Sequence, residues 1–287
     1  MSERTISGID PATGEGLAVT VRDGVIAAVT SGAPTGDMYL TPGFVDLQVN
    51  GFAGHDMNPG PAGTTPDAVA GLVEALRAQG VTRFCPTLIT ASASTLLASL
   101  RAIREARSRP DIAAAIPCVH VEGPWISPAD GARGAHPPAH VRDPDPDEYE
   151  AWREASGGCV GLVTLCPARP GALDMIARLA ARGVAVAIGH TDAGPEAIHA
   201  AAAAGARLST HLGNGIAATL PRHPNAIWAQ LADDRLSASF IADGHHLPDD
   251  TLTAMIRAKG IARSILVSDA TALGGRPPGR YHTPIGG

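Results

Sequence analysis

The pattern of apolar and polar positions changes near residue 41. Before that point, short alternating apolar segments are separated by turn residues. Gly16–Arg22 and Val25–Val29 flank the dipeptide Asp23-Gly24, which is typical of a tight β-hairpin. The pattern predicts that residues 1–41 begin a small β-sandwich domain, because a hairpin of this size is not stable alone.

From residue 42 onward, apolar strand-like segments alternate with amphipathic helical segments. Helices are predicted at Thr65–Gln79, Ser92–Arg107, Asp145–Ala155, Gly171–Arg182, Pro195–Ala204, Ala226–Ala232 and Pro248–Lys259. Strands are predicted at Gly43–Val49, Val81–Leu88, Ala113–Glu122, Val160–Leu165, Val184–Ile188, Arg207–Thr210, Leu236–Ile241 and Ser264–Val267. Eight such units in about 225 residues favour an α/β fold of the TIM-type (β/α)8 barrel class over residues 42–287. A doubly wound open sheet is the alternative, but no glycine-rich phosphate loop follows the first strand.

Composition narrows the class of protein. The chain has 287 residues, 45% of them hydrophobic and 17% charged, and a net charge of −6, which does not suggest a nucleic-acid partner. The apolar segments are short and no signal peptide is evident, so we expect a cytoplasmic protein with no membrane span. The four cysteines lack metal-type spacing, and we expect them to be reduced, buried thiols: Cys85, Cys118, Cys159 and Cys166.

Potential metal ligands follow several predicted strands. Glu122 ends the third strand, His190 follows the fifth and His211 follows the sixth. The C-terminal strand ends of a barrel converge on one mouth. Two imidazoles and a carboxylate that leave one position open form a catalytic zinc set, and iron, cobalt or manganese would accept the same ligands. The sequence therefore predicts one divalent metal, with zinc as the first expectation.

Three further residues are candidates for the chemistry at this mouth. Asp269 follows the last strand, where a carboxylate can take a proton from water and return it to a leaving group. His246 and His136 are candidates to hydrogen-bond a carbonyl oxygen as negative charge develops on it. His246 is the stronger candidate, because it follows a strand end whereas His136 lies in a long loop.

Seven motifs carry a family resemblance that spans nearly the whole chain. They are Pro42–Gly51 (Pro-Gly-Phe-Val-Asp-Leu-Gln-Val-Asn-Gly), His120–Trp125, Gly134–His136, Gly189–Thr191, Thr210–Leu212, Ala242–His246 and Ser268–Ala272. Together they resemble the N-acetylglucosamine-6-phosphate deacetylases of the amidohydrolase superfamily.

The resemblance implies a role for each site residue. It implies metal ligation by Glu122, His190 and His211, and general base and acid duty for Asp269. Substrate contacts are implied for His136, Asn214, Gly215, Arg222 and His246. Gln48 and Asn50 stand where many amidohydrolases have a histidine pair that binds a second metal, which implies a single metal here. The expected substrate is a small N-acetyl amino sugar, and the family resemblance implies a homodimer in which Arg222 could serve the neighbouring site.

Some alternatives stay open at this point. The segment Leu212–Ile216 reads Leu-Gly-Asn-Gly-Ile where the family commonly has Leu-x-Asn-Ala-Met, and Leu220–Asn225 is also atypical around the arginine that binds phosphate in the family. A non-phosphorylated N-acyl sugar is therefore an alternative substrate, and a surface position is the alternative for Arg222. An N-acyl-amino acid or a cyclic amide would use the same metal set. The chain stops at Ile285-Gly286-Gly287, and we expect a truncated barrel without its closing helix and without the return to the β domain. A catalytically inactive fragment is therefore the non-enzymatic alternative.

Overall fold

A computed structural model of the chain describes residues 2–33 and 36–283, which fall into two units. The first unit ends at Phe44 and the second begins at Val45. The end of the chain, Ile285-Gly286-Gly287, lies outside the described residues.

The first unit contains a three-stranded antiparallel sheet formed by β1 (Glu3–Ile9), β2 (Gly16–Arg22) and β3 (Val25–Gly32). The predicted hairpin joins β2 to β3. Asp23 and Gly24 both have positive φ angles, 50° and 81°, as the tight turn between two twisted strands requires. This hairpin prediction is confirmed.

The second unit is built on an eight-stranded sheet whose order, from one end to the other, follows the chain. Its strands are β4 (Phe44–Val49), β7 (Val81–Ile89), β8 (Val119–Glu122), β9 (Val160–Leu165), β10 (Ala185–Ile188), β11 (Leu208–Ser209), β12 (Ser237–Ile241) and β13 (Ser264–Val267). A two-stranded hairpin, β5 (Gly51–Phe52) and β6 (His55–Asp56), follows the first of them. The neighbouring ladders are parallel, as a (β/α)8 barrel requires. The predicted fold class is confirmed.

Helices follow the strands along the chain. They are α1 (Pro66–Arg77), α2 (Ala93–Ala106), α3 (Pro110–Ala115), α4 (Pro146–Ser156), α5 (Ala172–Ala181), α6 (Pro195–Ala204), α7 (Ala226–Ala232) and α8 (Asp249–Lys259), with 3-10 turns at Pro138–His140 and Ile261–Arg263. None of the helices in the described ranges is long and apolar enough to span a membrane.

The local sequence explains where α1 begins and which face it buries. Thr65 accepts a hydrogen bond from the Ala68 amide and Pro66 occupies the first turn, which together favour helix initiation. The buried residues of α1 recur at helical spacing and join the main core: Val69, Leu72, Val73 and Leu76.

One predicted strand is wrong over most of its length. The pattern predicts a single strand over Ala113–Glu122, but Pro110–Ala115 forms α3 and β8 begins only at Val119. Pro110 starts a helix well and alanine has the highest helix propensity, so the apolar character of Ala113–Ala115 reflects the buried side of a helix. Pro117 then separates this helix from the strand.

The two end strands of the sheet, β4 and β13, meet through hydrogen bonds near their C-terminal ends. The buried Asp46 carboxylate accepts from the Ser268 amide at 3.2 Å, and the Asp269 amide donates to the Gln48 carbonyl at 3.0 Å. Val49 forms a parallel bridge with Ala270. These contacts bring the first strand and the residues after the last strand together, and so close the barrel at the predicted active-site end.

Candidate active site

The three candidate ligands and the candidate base lie at or just beyond the C-terminal ends of four strands. Glu122 is the last residue of β8, and His190, His211 and Asp269 each follow their strands, β10, β11 and β13, by two residues. Because these strands are parallel, their C-terminal ends converge, and the structure brings the four side chains to one mouth. Glu122, His190 and His211 are all buried.

The donor atoms at this mouth are close enough to share one ion. His211 Nε2 lies 3.0 Å from Glu122 Oε1 and 3.1 Å from His190 Nε2, and His190 Nε2 lies 3.4 Å from Glu122 Oε1. Ligands bound tetrahedrally at about 2.0 Å from zinc would lie about 3.3 Å from one another. The three donors therefore fit a small divalent cation.

His136 also belongs to the cluster, and its Nε2 atom is close enough to the other donors to be considered as a metal ligand. Its Nε2 lies 3.2 Å from His190 Nε2, and one ligand atom from each of Glu122, His136 and His190 falls within 4.8 Å of the others. His136 Nδ1, however, accepts a hydrogen bond from the Thr90 amide at 3.4 Å. A neutral His136 ring then carries its proton on Nε2, so it points an N–H into the site where a metal ligand would need a lone pair.

The opposite tautomer is set for His190. Its Nδ1 donates to the Ala132 carbonyl at 2.9 Å, which leaves the Nε2 lone pair free to bind a metal. His211 Nδ1 is buried and has no partner among the described residues. The hydrogen bonds thus distinguish His136 from His190, although their rings lie only 4.1 Å apart between centroids.

Burial and mutual charge set the protonation states of the site. Burial lowers the pKa of His136 to about 3, so this ring is neutral. Burial would also lower the pKa of His211, but the hydrogen bond and charge of Glu122 raise it to about 9. Burial would raise the pKa of Glu122, yet the close contacts of its carboxylate with the His190 and His211 rings hold it well below its usual range. The pKa of Asp269 is raised to about 6, by burial first and then by the Glu122 charge. The site thus holds one firmly ionised carboxylate beside one that can exchange a proton near neutral pH.

Two amides hold the two carboxylates in place. Gln48 Nε2 donates to Glu122 Oε1 at 2.8 Å, and Asn50 Nδ2 donates to Asp269 Oδ1 at 2.6 Å. The family resemblance implies a single metal on the basis of these two residues, and in the structure both side chains donate an uncharged N–H to a carboxylate.

The backbone conformation is unusual at three of the site residues that follow strands. His190, His211 and Asp269 have φ angles of 47°, 29° and 49°, in a region that non-glycine residues seldom adopt. Such conformations cost about 1–3 kcal/mol each and cluster at functional sites. In each case the turn lies directly after a strand and directs the side chain across the barrel mouth.

Two glycines are required by close approach to the site. A Cβ at Gly123, which has φ +78°, would lie 2.3 Å from Thr90 Oγ1. A Cβ at Gly215, with φ +59°, would lie 2.8 Å from His190 Nδ1. The family resemblance implies a substrate contact for Gly215, and the structure places this residue against the His190 ring, where there is no room for a side chain.

A cavity of about 290 Å³ opens beside the buried cluster, and its lining includes Asn50, Asp56, Glu122, His246 and Asp269. His246 is half-exposed, and its Nδ1 lies 2.7 Å from Asp243 Oδ2. The structure thus brings His246 to the rim of the same cavity as Asp269 and does not place it within the buried cluster.

The remaining predicted substrate residues lie in the loop after β11. Asn214 donates its backbone amide to the His211 carbonyl at 2.9 Å, and its side-chain Nδ2 is buried with no partner among the described residues. Arg222 is exposed, is absent from the lining of the 290 Å³ cavity and forms no ion pair within the described part of the chain. The structure of this single chain therefore brings Asn214 next to the cluster and leaves Arg222 outside it.

Sequence reasoning missed Thr90 and Ala132, which orient the two imidazoles. Thr90 follows β7, and its Oγ1 lies 2.8 Å from His136 Nδ1. A polar residue after an apolar strand was the available signal for Thr90. The Ala132 carbonyl carries no such signal, because any residue offers the same backbone oxygen.

A parallel barrel with metal-type donors at its strand ends is found in known enzyme families, and comparison with known proteins identifies which family this is. The model described as "Amidohydrolase family" matches residues 39–275, and the chain belongs to this family. Similar proteins include N-acetylglucosamine-6-phosphate deacetylases and N-acetylgalactosamine-6-phosphate deacetylases. The chain is 32% identical over 272 residues to an N-acetylglucosamine-6-phosphate deacetylase of Vibrio furnissii, covering 92% of the chain and 66% of that protein. It is 34% identical over 270 residues to an N-acetylgalactosamine-6-phosphate deacetylase of Shewanella sp., covering 89% of the chain and 66% of that protein.

A solved structure supports the same grouping. N-acetyl-D-glucosamine-6-phosphate deacetylase from Mycobacterium smegmatis, an aspartate-to-alanine mutant in complex with N-acetyl-D-glucosamine-6-phosphate, superimposes with a TM-score of 0.86 at 31% identity. The match covers 99% of this chain and 74% of that one. The chain spans about two thirds of the length of the curated relatives that it matches.

Proposed function

We propose that the chain hydrolyses the acetamide of an N-acetylhexosamine 6-phosphate, giving acetate and the amino sugar phosphate. The carrying observation is that Glu122, His190 and His211 converge on one mouth whose cavity also contains the Asp269 carboxylate. The names of the similar proteins supply the substrate class: both glucosamine and galactosamine derivatives occur among them.

We propose that Glu122, His190 and His211 hold one divalent metal, with zinc as the first candidate and iron, cobalt and manganese as alternatives. Their interatomic distances and the tautomer of His190 support this assignment. Bound there, the ion would supply a Lewis acid that lowers the pKa of water and polarises a carbonyl. The amide N–H of Gln48 would keep Glu122 oriented toward the ion.

Asp269 would act first as the base and then as the acid. Its raised pKa of about 6 leaves the carboxylate mostly ionised at neutral pH, so it can accept a proton from the attacking water. The same pKa lets the protonated group return that proton to the departing sugar nitrogen. The Asn50 amide would hold Asp269 in a fixed orientation throughout.

His136 and His246 would contact the substrate from different places. The neutral His136 ring would donate its Nε2 proton to the acetyl oxygen as negative charge develops there. His246, at the rim, would reach the sugar or its phosphate, and the unpartnered Asn214 Nδ2 is a second donor for the substrate among the described residues. Because Arg222 is exposed on its own chain, we propose that it serves the neighbouring subunit of a homodimer.

The proposal is tested by metal analysis followed by substrate comparison. We expect about one metal per chain, and turnover of the 6-phosphates of N-acetylglucosamine and N-acetylgalactosamine in preference to N-acetylglucosamine, N-acyl-amino acids and hydantoins. Sedimentation analysis would test the dimer, and cell fractionation would test the expected cytoplasmic location. A chain that binds metal yet prefers a cyclic amide would overturn the substrate assignment. A folded chain that binds none of supplied zinc, iron, cobalt or manganese would overturn the active-enzyme proposal as a whole.

A further inference from the structure

A pair of thiols lies in the barrel wall, away from the donor cluster. Cys85 Sγ and Cys118 Sγ are 3.5 Å apart. Cys85 lies in the middle of β7, and Cys118 directly precedes β8, whereas Glu122 ends that strand. The pair therefore belongs to the N-terminal half of the barrel and takes no part in the proposed deacetylation.

The register of the two strands brings these cysteines opposite each other. In the parallel ladder of β7 and β8, Thr87 is paired with His120. Cys85 and Cys118 each lie two residues before that pair, and the 3.5 Å between their sulfurs agrees with the same register. Neighbouring strands run about 4.8 Å apart, and a disulfide accepts Cα separations of about 4.4–6.8 Å. The sulfurs therefore need to approach by about 1.5 Å to reach the S–S bond length of about 2.05 Å, with no change in strand pairing.

The two thiols differ in access to solvent. Cys85 is 2% exposed, whereas Cys118 is partly exposed and lines a cavity of about 580 Å³ that Arg107, Arg153 and Arg182 also line. Arg153 and Arg182 both pair with Glu150, while Arg107 donates from Nε to the Ile116 carbonyl. A small polar oxidant can therefore reach Cys118 through an arginine-lined opening but cannot reach Cys85 directly.

The electrostatics favour the same order of reaction. The hydrogen bond from Cys85 lowers the pKa of Cys118, and the Arg107 charge lowers it further. The pKa of Cys85 is raised, by its hydrogen bond with Cys118 first and then by burial. The exposed member of the pair is thus the better nucleophile, because the thiolate is the reactive form.

We propose that Cys118 and Cys85 form an oxidisable thiol pair, in which a hydroperoxide reacts with Cys118 and Cys85 resolves the product to a disulfide. The Cys118 thiolate attacks one peroxide oxygen and breaks the O–O bond, which yields a sulfenic acid and, after proton uptake, water or an alcohol. The Cys85 sulfur then attacks the sulfenic sulfur, and the departing hydroxide takes the Cys85 proton to become water. The two thiols lose two electrons in total, and these reduce the peroxide.

The test uses the whole chain, freed of reductant and exposed to hydrogen peroxide under native conditions. Remaining thiols are then alkylated in denaturant and the intact mass and peptides are measured. We expect loss of two alkylatable thiols, a peptide cross-link between Cys85 and Cys118, and full reversal by a dithiol. In Cys85→Ser, reaction should stop at a Cys118 sulfenic acid that a dimedone probe captures.

Matched variants separate this pair from general oxidation. Cys159→Ser removes a buried thiol beside the adjoining strand and should leave the cross-link unchanged, whereas Cys118→Ser should slow peroxide consumption by the native chain at least tenfold. Circular dichroism of each variant verifies folding. Cys118→Ala is the replacement variant if Cys118→Ser does not fold. A cross-link from Cys118 to Cys159, equal oxidation of all four thiols, or no thiol loss in the folded wild-type chain would each overturn the proposal.

Discussion

The donor cluster and the rim of the cavity are built in different ways. Glu122, His136, His190 and His211 are all at most 7% exposed, and each is held by hydrogen bonds to a barrel strand, to a residue next to one, to the loop after β8 or to another member of the cluster. His246 at the rim of the cavity and Arg222 outside it are exposed, and both lie in loops. A buried cluster of this kind tolerates few changes, because each polar group removed leaves another without its partner. The rim can vary with the substrate without disturbing the reaction centre.

The largest loss is expected from Glu122→Gln and His211→Ala. Both changes remove a charged or coordinating atom from the proposed metal set, so bound metal should fall to background and kcat/KM by about 10³-fold or more. Elemental analysis and activity measured on the same preparation test this together. His199→Ala is the control, since His199 is exposed and pairs with Asp233 outside the site. Metal retention at the wild-type level in both variants would contradict the ligand assignment.

Asp269→Asn should leave metal content unchanged and lower kcat by about 10²–10⁴-fold. For the wild-type chain, the folded pKa of Asp269 lies above its usual value, so the ionised base is gained as pH rises through about 6. We therefore expect activity to fall as pH decreases below that value. A pH profile with no acidic limb between about pH 4.5 and 7.5 would argue against Asp269 as the base.

His136→Ala should reduce kcat by about 10²–10³-fold with metal still bound, as expected for loss of a donor to a developing oxyanion. Because burial lowers the pKa of His136 to about 3, the size of this loss should not vary between about pH 6 and 9. Kinetics over that range, with metal analysis, measure both points. Loss of metal in this variant would instead make His136 a ligand.

Asn50→Ala should act through Asp269. The 2.6 Å hydrogen bond from Asn50 lowers the pKa of Asp269, so its removal should raise that pKa. The fall in activity at low pH, the acidic limb of the pH profile, should then begin at higher pH, and kcat should fall about 10–100-fold. Asn50→Gln, which retains an amide, tests whether an N–H donor restores the limb. A uniform loss of activity with no movement of the limb would indicate a merely structural role.

The smallest effects are expected at the rim. His246→Ala should raise KM for the phosphorylated sugar by about tenfold and change kcat less, since a substrate contact at the rim contributes to binding in the ground state. The adjacent His245→Ala is a matched control, because His245 is also exposed but is absent from the cavity lining.

Arg222→Ala should raise KM only for a phosphorylated substrate and only in an assembled dimer. An equal effect on a non-phosphorylated substrate would contradict the phosphate contact.

Residues at strand ends could be predicted from the sequence, whereas residues placed by loops could not. Glu122, His190 and His211 were recognisable because each is a ligand-type residue at the end of a buried apolar strand, where packing alone favours an apolar side chain. Ala113–Ala115 was misassigned, since short apolar stretches do not separate a buried helix from a buried strand. The position of His136 could not be predicted, because it depends on a loop that is held by the Thr90 amide.

Backbone partners mark the limit of such prediction. The Ala132 carbonyl fixes the His190 tautomer, yet its role as an acceptor follows only from the folded path of the loop. Sequence reasoning left two positions open for Arg222, a phosphate contact or a surface residue, because its loop has neither helical nor strand periodicity. Elements with a regular hydrophobic period and ligand-type residues at strand ends were thus predictable, whereas contacts that depend on the path of a loop were not.

The hydrogen bonds that close the barrel also have a consequence for the order of folding. The contact between Asp46 and Ser268 joins residues 222 positions apart in the chain, so its loop-closure entropy is high and it should form late. The amide of Asp269 takes part in the same closure through Gln48, whose side chain in turn holds Glu122. A partly folded chain would therefore expose the unpaired edges of β4 and β13 to aggregation, and catalytic competence would arrive only with the last long-range contacts.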